Sequence, residues 1–335
     1  MRRILLFVPV ILLCLSVLVI VSCSPGRRDH VKLRDRSAGT SLLQYCKSIE
    51  VIPLKGDLRT GSLSKMDMDI SGEHYVIQDG DSVLRSFSLC GELESSYTCN
   101  KKITSFSAYN SSTVDILAGG DIYTWNPQKT AAKHVTYIPE TTVTLSNIAR
   151  RKDPVLVFVT HQGREERMCE YDLGQKRFFI SQGDTTVDGR YPYKFFRCDG
   201  QLYTVGTYNG DIKYLGLFAS THHRWTFEGG TIEAGAFTNA QMTPVNIYLT
   251  FRWNDADYLL IYDRQTYKSR LVGRTREGLP FPLGVIRSGA NYFYCPANQL
   301  DHYLNASVLD EETARLMGHL PPSCRGVVIK YLLVR

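Results

Sequence analysis

Ile122-Tyr123-Thr124-Trp125-Asn126 is one copy of the short pattern that decides the fold, an apolar strand that ends in an aromatic and runs into a polar turn. The pattern recurs along the chain, with its aromatic residue at Phe87, Trp125, Tyr171, Phe218 and Tyr262. The intervals between these aromatics are 38, 46, 47 and 44 residues. A period in the forties that holds about four strands is typical of the blades of a β-propeller.

The turns between the strands support the same interpretation. Ala118-Gly119-Gly120-Asp121, Tyr208-Asn209-Gly210-Asp211 and Trp253-Asn254-Asp255-Ala256-Asp257 each separate two apolar runs, as the turns of β-hairpins do. Alternation of apolar and polar side chains is clear from Val245 to Phe251, which predicts a strand with two different faces. The repeat therefore consists of antiparallel strands.

The two ends of the folded region predict a sixth blade. Residues 49–54 form an apolar strand with no hairpin partner nearby, and residues 282–295 and 326–334 supply three more strands. Pairing the first with the last would close the ring and remove an exposed sheet edge. Residues 309–320 have helical character. We therefore predict an all-β fold over residues 46–335, a six-bladed β-propeller closed by its N-terminal strand, with a short helical insert in the last blade.

The N-terminus predicts export and lipidation. Arg2 and Arg3 precede an apolar run from Ile4 to Ile20, the layout of a secretory signal. The run is also close to the length of a transmembrane helix. Ile20-Val21-Ser22-Cys23 is similar to the lipobox of bacterial lipoproteins, in which the cysteine is acylated and becomes the first mature residue. We predict a signal peptide over residues 1–22 and lipid attachment at Cys23, with an uncleaved anchor or a plain secretory signal as the alternative.

The residues after Cys23 bear on location. Residues 24–45 are polar and basic, and we predict that residues 23–45 form a lipidated, flexible tether. Ser24 stands where an aspartate retains many lipoproteins in the inner membrane, and no acidic cluster of the surface-export type follows it. The expected location is the cell envelope, at the outer membrane and facing the periplasm.

Charge and cysteine content exclude some classes of partner. Loss of Arg2 and Arg3 with the signal lowers the formal net charge from +6 to +4, which is too mild to indicate a nucleic-acid partner. The predicted mature domain has seven cysteines besides Cys23, so they cannot all pair internally. Most lie in apolar strands, and we expect buried free thiols.

The layout as a whole resembles a family, the six-bladed β-propeller lipoproteins of Bacteroidetes in the TolB-like class. The resemblance rests on Val51-Ile52-Pro53-Leu54 after a short tether, the aromatic hairpins, the late helical insert and the apolar terminal strand. Residues 98–102 replace a Gly-Pro-Gly-rich segment of many relatives, and residues 323–326 replace an Asn-Pro-led strand. The resemblance implies the fold and the anchor, and it implies no general activity.

Sequence signatures of catalysis and metal binding are absent. The chain has no GxSxG elbow and no HExxH. His222-His223 is predicted to lie in a hairpin turn, because adjacent strand residues point to opposite faces and could not share an ion. Asp255-Ala256-Asp257 and Asp79-Gly80-Asp81 suit hairpin turns better than calcium sites. We predict no cofactor and no metal.

Two segments are candidates for ligand contact. Tyr191, Tyr193, Lys194 and Arg197 surround the start of the fourth blade's innermost strand, where aromatics and cations could stack on a sugar or a peptide. Packing between blades is the alternative explanation. Arg150-Arg151-Lys152 is interpreted as a solvated charged turn, with a site for an acidic glycan or phosphate as the alternative.

The function that we predict is binding or scaffolding of an envelope protein or glycan partner at the membrane to which the lipid anchors the chain, without catalysis. The alternative is a polysaccharide lyase or glycosidase at the central channel. Such an enzyme needs two positioned carboxylates, a histidine with a tyrosine and an arginine, or a metal on the inner strands. The predicted inner strands carry few carboxylates beyond Asp67 and Asp69.

Overall fold

The structure is a computed structural model. It describes residues 27–33, 40–56, 58, 68–138, 144–162, 165–180, 194–206, 209–215, 219–233 and 235–334. The predicted signal peptide and Cys23 lie outside these residues, so both stay predictions. No helix in the described ranges is long and apolar enough to cross a membrane.

The chain folds into six small antiparallel sheets, and we letter the strands of each blade A to D from the channel outward. Blade one consists of β3 (Met68–Ser71), β4 (His74–Asp79), β5 (Val83–Ser88) and β6 (Leu93–Thr98). Blade two consists of β7 (Ser105–Asn110), β8 (Thr113–Ala118), β9 (Asp121–Trp125) and β10 (Ala132–Tyr137). Blade three consists of β11 (Thr144–Lys152), β12 (Val155–Gln162), β13 (Glu165–Asp172) and β14 (Arg177–Ile180).

Blades four to six follow the same plan, with strands from both chain ends. Blade four consists of β15 (Lys194–Cys198), β16 (Gln201–Val205), β17 (Ile212–Leu215) and β18 (Ala219–Glu228). Blade five consists of β19 (Phe237–Met242), β20 (Asn246–Trp253), β21 (Ala256–Asp263) and β22 (Ser269–Val272). Blade six consists of β23 (Val285–Arg287), β24 (Ala290–Pro296), β25 (Gly326–Leu333) and β2 (Cys46–Pro53). An additional strand, β1 (Arg27–Lys32), pairs with the outer edge of blade four as a fifth strand.

The six A strands form a closed ring around the channel and run in the same direction. The hydroxyl of Ser71, at the end of β3, donates to the carbonyl of Asn110, at the end of β7. The backbone N–H of Ile286 donates to Oε1 of Gln241 on the preceding blade at 3.2 Å. Because the strands alternate in direction within a blade, the A–B and C–D turns all lie on one face, which we call the A–B face. The opposite face, with the B–C turns, is the B–C face.

The predicted ring closure is confirmed. Strand β2 pairs antiparallel with β25 from Cys46 to Leu333, and Nζ of Lys330 lies 2.8 Å from Oε2 of Glu50. The insert between β24 and β25 carries a short helix, Leu300–Tyr303, and a longer one, Glu311–Gly318. The carboxylate of Asp310 caps the second helix by accepting the N–H of Thr313 at 2.7 Å. The all-β, six-bladed prediction with a late helical insert is correct.

Four of the repeated aromatics occupy one topological position, the C strand of blades one, two, three and five. Phe87, Trp125, Tyr171 and Tyr262 are all buried between blades, whereas Phe218 lies outside the described residues. Trp125 also donates its ring N–H to the carbonyl of Lys129 at 2.6 Å and so fixes the following turn. Inter-blade packing of these side chains is the physical origin of the sequence period.

Strand β1 corrects the tether prediction, which treated residues 23–45 as flexible. Its residues pair in parallel with β18, from Arg27 opposite His223 to Lys32 opposite Glu228. The chain alternates there, with Val31 and Leu33 buried in the core between blades four and five. This burial, together with backbone pairing, orders a segment whose composition is mostly polar.

A buried polar cluster fixes β1 to the propeller. Oδ2 of Asp29 accepts the hydroxyl of Tyr262 at 2.8 Å and lies 3.0 Å from Nε2 of His223. The His223 ring also packs on Trp225, with centroids 4.0 Å apart. His223 is buried within a strand, so the prediction that His222-His223 forms a hairpin turn is wrong.

Replacement of Asp29 by alanine is expected to release β1 without opening the ring. Two buried polar groups on the propeller would lose their acceptor, at a cost of about 1–3 kcal/mol. Amide hydrogen exchange should rise over residues 27–32 and stay unchanged in β2 and β25. Lys32→Ala, an exposed change on the same strand, is the matched control. Unchanged protection of β1 in Asp29→Ala would contradict this assignment.

The seven cysteines of the described residues are all free thiols. Five of them are buried, as expected from their apolar strands, while Cys90 is exposed and Cys324 is partly exposed. Burial raises the pKa of both Cys46 and Cys295 to about 12, so these thiols stay protonated and act as small apolar side chains.

Candidate functional site

Charged side chains converge on the central channel near the A–B face. Asp69, Tyr109, Arg150, Arg197 and Arg287 lie on the A strands of five different blades, and all of them except Asp69 lie in the half of the strand that approaches this face. The ring geometry explains the convergence, because equivalent positions of parallel A strands lie at the same depth of the channel. We call these five residues the arginine cluster.

Arg150 belongs to the cluster but its charge is already neutralised. Its Nε lies 2.9 Å from Oδ2 of Asp115 and its Nη2 lies 2.6 Å from Oδ1, a bidentate pair. Its Nη1 donates to Asp153 as well. Burial works to lower the pKa of Arg150, but the two carboxylates outweigh it and raise that pKa. This residue is buried and paired, so the prediction of a solvated turn at Arg150 is wrong.

Arg197 has no such partner. Its guanidinium lies over the Tyr109 ring at 5.1 Å from the centroid, beside that of Arg150 at 5.5 Å. One Nη donates to the carbonyl of Arg150, and its Nε is a buried donor without an acceptor among the described residues. Burial lowers the pKa of Arg197, and the neighbouring charge of Arg150 acts in the same direction. Such a donor and charge are costly unless an anion compensates them.

Arg287 and Asp69 complete the cluster from the first and last blades. Nη1 of Arg287 donates to the carbonyl of Ile70 at 2.9 Å, and the rest of this exposed side chain is open to the channel mouth. Asp69 accepts the backbone N–H groups of Ala108 at 2.7 Å and Ile70 at 2.8 Å. Burial raises the pKa of the Asp69 carboxyl, although both amides and both nearby arginines oppose this shift.

With Arg150 neutralised by its own carboxylates, the guanidinium groups of Arg197 and Arg287 outnumber the single carboxyl group of Asp69. Among the described residues, neither Arg197 nor Arg287 has a carboxylate within ion-pair distance, and Asp69 forms no ion pair of its own. A guanidinium offers planar donors that match carboxylate and phosphate oxygens. The arrangement therefore suits recognition of an anionic group.

The predicted site residues are only partly brought together. Arg197 lies in the cluster, whereas Lys194 is the exposed first residue of the same strand, about 10 Å away toward the B–C face. Tyr191 and Tyr193 lie outside the described residues, so their role stays a prediction. Tyr109 and Arg287 were not predicted from the sequence, because only their common position near the ends of the A strands brings them to this site.

Few groups suited to acid–base chemistry lie near the cluster in the part of the chain that the structure describes. The cluster contains a tyrosine and arginines but no histidine, and the second carboxylate near it, Asp115, is occupied by Arg150. Within the part of the chain that the structure describes, no group of three or more His, Cys, Asp or Glu residues could hold a metal ion. Asp79 lies beside Arg85 at 2.6 Å, Asp255 lies in the two-residue turn between β20 and β21, and Asp257 lies in β21 opposite Arg252.

Comparison with known proteins agrees with the fold. A Bacteroides fragilis protein described as exported superposes with a TM-score of 0.69 at 11% identity, covering 92% of this chain and all of its own. Virginiamycin B lyase from Staphylococcus aureus gives a TM-score of 0.43 at 13% identity, covering 70% of this chain and 75% of its own. An extracellular domain of a two-component system from Bacteroides thetaiotaomicron gives 0.42 at 10% identity, covering 66% and 32%.

No protein-family profile matches the chain, and neither does any curated protein. At identities this low, structural similarity establishes the fold alone. The propeller is thus shared with an exported Bacteroides protein, while the site has to be interpreted from its own residues.

Proposed function

We propose that the protein is a lipid-anchored propeller of the cell envelope that binds an anionic group of a glycan or protein partner at the arginine cluster. The observation that carries the proposal is the excess positive charge in the channel. Among the residues that the structure describes, Arg197 and Arg287 have no carboxylate within ion-pair distance, although Arg150 beside them has two. Placing an unpaired guanidinium in a partly buried channel is costly, and a bound anion would offset that cost.

The chemistry of the cluster narrows the ligand class. A carboxylate could accept hydrogen bonds from the guanidinium of Arg197 or Arg287, and charge-assisted bonds of this kind are about twice as strong as neutral ones. The partly exposed Tyr109 ring adds an amphipathic surface against which a sugar or an aliphatic stem could pack. Uronic acids and acidic peptide side chains combine these two features, so they are the ligands we favour.

The proposed location of the protein depends on lipid attachment at Cys23. The lipobox and the fold shared with an exported protein support attachment in the envelope, and the preferred membrane is the outer one, facing the periplasm. Two or more acyl chains would hold the propeller there stably. The partner would then be an envelope glycan or protein.

Binding of an oligogalacturonide, measured by isothermal titration calorimetry, tests the proposal. We expect Arg197→Gln to weaken binding at least tenfold, because loss of one charge-assisted hydrogen bond costs about 1.5–3 kcal/mol. Arg197→Lys should restore part of the affinity. Arg270→Gln, an exposed change on the outer strand of blade five, is the matched control and should bind like the parent.

Thermal unfolding of each variant separates a loss of binding from a loss of fold. An acidic peptide and a neutral oligosaccharide serve as comparison ligands. Equal binding of the neutral sugar, an unaffected Arg197→Gln variant, or no binding of either acidic probe would overturn the proposal. Turnover of the oligogalacturonide would instead support the alternative of a glycan-active enzyme.

A further inference from the structure

We propose that the rim of the A–B face, where the C–D turns lie, rests against a lipid bilayer with anionic headgroups. This inference rests on the lipid anchor of the proposed function, and it adds an orientation and a contact surface. Three independent features support it, namely the direction of β1, the distribution of exposed apolar side chains and the distribution of basic side chains.

The direction of β1 places the start of the folded chain near the A–B face. D strands run from the A–B face to the B–C face, and β1 is parallel to the D strand of blade four. The Arg27 end of β1 therefore lies toward the A–B face. Only three residues separate Arg27 from Cys23, so a fully extended connection spans at most about 14 Å. An anchor at Cys23 would hold this face close to the bilayer.

Exposed apolar side chains are concentrated at the same face. Ten large apolar residues are exposed in the described part of the chain, and eight of them lie in a C–D turn or within three residues of a C–D junction. These eight residues are Leu43, Leu89, Leu93, Phe178, Phe179, Tyr267, Leu332 and Val334. The other two are Tyr137, at the B–C face, and Leu316, on the inserted helix. These residues belong to the C–D junctions of blades one, three, five and six, so apolar side chains recur around the rim of this face.

Exposed basic side chains accompany the apolar ones. Seven lie in C–D turns or within three residues of a C–D junction, namely Lys47, Lys129, Lys133, Lys176, Arg177, Lys268 and Arg270. Acidic residues also lie at this face: in the C–D turns Glu92 pairs with Lys55, and Asp172 and Asp263 accept turn N–H groups, while Glu73 and Asp199 are exposed in A–B turns. Basic residues next to exposed apolar ones suit the interface of an anionic bilayer, where each cation contributes about 1 kcal/mol.

The chain supplies its own reporter of this contact. Cys90 is an exposed free thiol in the C–D turn of blade one, beside the exposed Leu89. A bilayer against the A–B face would shield Cys90 from a water-soluble maleimide. Tyr137→Cys places a comparable thiol at the opposite face, where Tyr137 is 53% exposed, and serves as the matched control.

The experiment measures maleimide labelling of the full lipidated protein on vesicles and in detergent, site by site, by mass spectrometry. On vesicles of phosphatidylcholine with phosphatidylglycerol, we expect labelling of Cys90 to slow at least severalfold relative to detergent, while labelling at position 137 is unchanged. Lys176→Gln/Arg177→Gln should weaken vesicle binding of an unlipidated chain that begins at Ser24, by about fivefold per charge. Lys102→Gln, at the B–C face, should not.

The outcomes separate this inference from the proposed function. A protein that floats with vesicles but labels equally at Cys90 in vesicles and detergent would overturn the orientation and leave the anchor intact. A protein that carries no lipid and does not float would overturn the anchor and this inference together, while the oligogalacturonide titration still tests the binding site. Equal shielding on pure phosphatidylcholine would overturn the role of anionic headgroups.

Discussion

Asp115→Ala is expected to lower the free energy of unfolding by about 3 kcal/mol or more. Removal of one partner of a buried ion pair leaves an uncompensated charge, and such losses amount to about 3–5 kcal/mol. Asp115 is fully buried and joins blades two and three through Arg150, and it also accepts the hydroxyl of Thr124 at 3.1 Å. Asp153 still contacts Arg150, so the lower end of the range applies. Urea unfolding followed by circular dichroism measures the change.

Two further variants show whether the pair itself is responsible. Asp153→Ala removes an exposed partner of the same arginine and should cost less than about 1 kcal/mol. Asp115→Ala/Arg150→Met removes both buried charges and should recover much of the lost stability. A double variant as unstable as Asp115→Ala would show that packing, not the unpaired charge, accounts for the loss.

Tyr331→Ala is expected to cost about 3–5 kcal/mol, because truncation of a large buried aromatic removes its contacts and leaves a cavity. Tyr331 lies on β25 in the closing blade, opposite Ile49 of β2, and is fully buried. Its ring packs on Phe281 with centroids 5.3 Å apart. The loss should appear as a lower midpoint of thermal unfolding and as faster hydrogen exchange in β2.

Tyr331→Phe is the matched control for this prediction. The hydroxyl of Tyr331 is buried and has no hydrogen-bond partner among the described residues, and burial raises its pKa well above the ordinary value. Removal of an unsatisfied buried hydroxyl is expected to be neutral or stabilising, by up to about 1 kcal/mol. A destabilised Tyr331→Phe variant would show that the hydroxyl has a partner, such as a bound water.

The fold could be predicted largely from the sequence, because one physical requirement recurs along the chain. In blades one, two, three and five the C strand places a large aromatic between neighbouring blades, so the spacing of Phe87, Trp125, Tyr171 and Tyr262 follows blade size. The closure of the ring by β2 could be inferred for a similar reason. The apolar strands at the two ends of the folded region had no other pairing partners in sequence, and their backbone groups hydrogen-bond to each other.

Strand β1 could not be predicted from the same reasoning. Arg27-Arg28-Asp29-His30-Val31-Lys32 is polar, and its alternation covers too few residues to indicate a strand. Its order depends on partners about 200 residues away, such as Glu228, which lies 2.9 Å from Nδ1 of His30. Composition describes a segment in isolation, and this segment gains its stability from the groove between two distant blades.

The arginine cluster was predicted only in part for a related reason. Arg197 was predicted as a candidate for ligand contact because of its aromatic neighbours in sequence, and Arg150 was considered for an anion site because basic residues follow it. Arg287 and Tyr109 stand among unremarkable neighbours in sequence, and only the common depth of the A strands brings them to one place. Whether Arg150 is solvated or paired depends on Asp115, which belongs to another blade.

The parallel docking of β1 determines how mechanical load on the N-terminus would enter the molecule. Force applied before Arg27 along the strand would act in shear on the six paired residues of β1, so that their hydrogen bonds resist together. Blade four would carry the tension, and the buried contacts of Asp29 would reinforce that joint. Strand β2, which closes the ring, follows later in the chain and would stay unloaded until β1 slips. The docked strand would thus protect the ring from force applied at the N-terminal end of the chain.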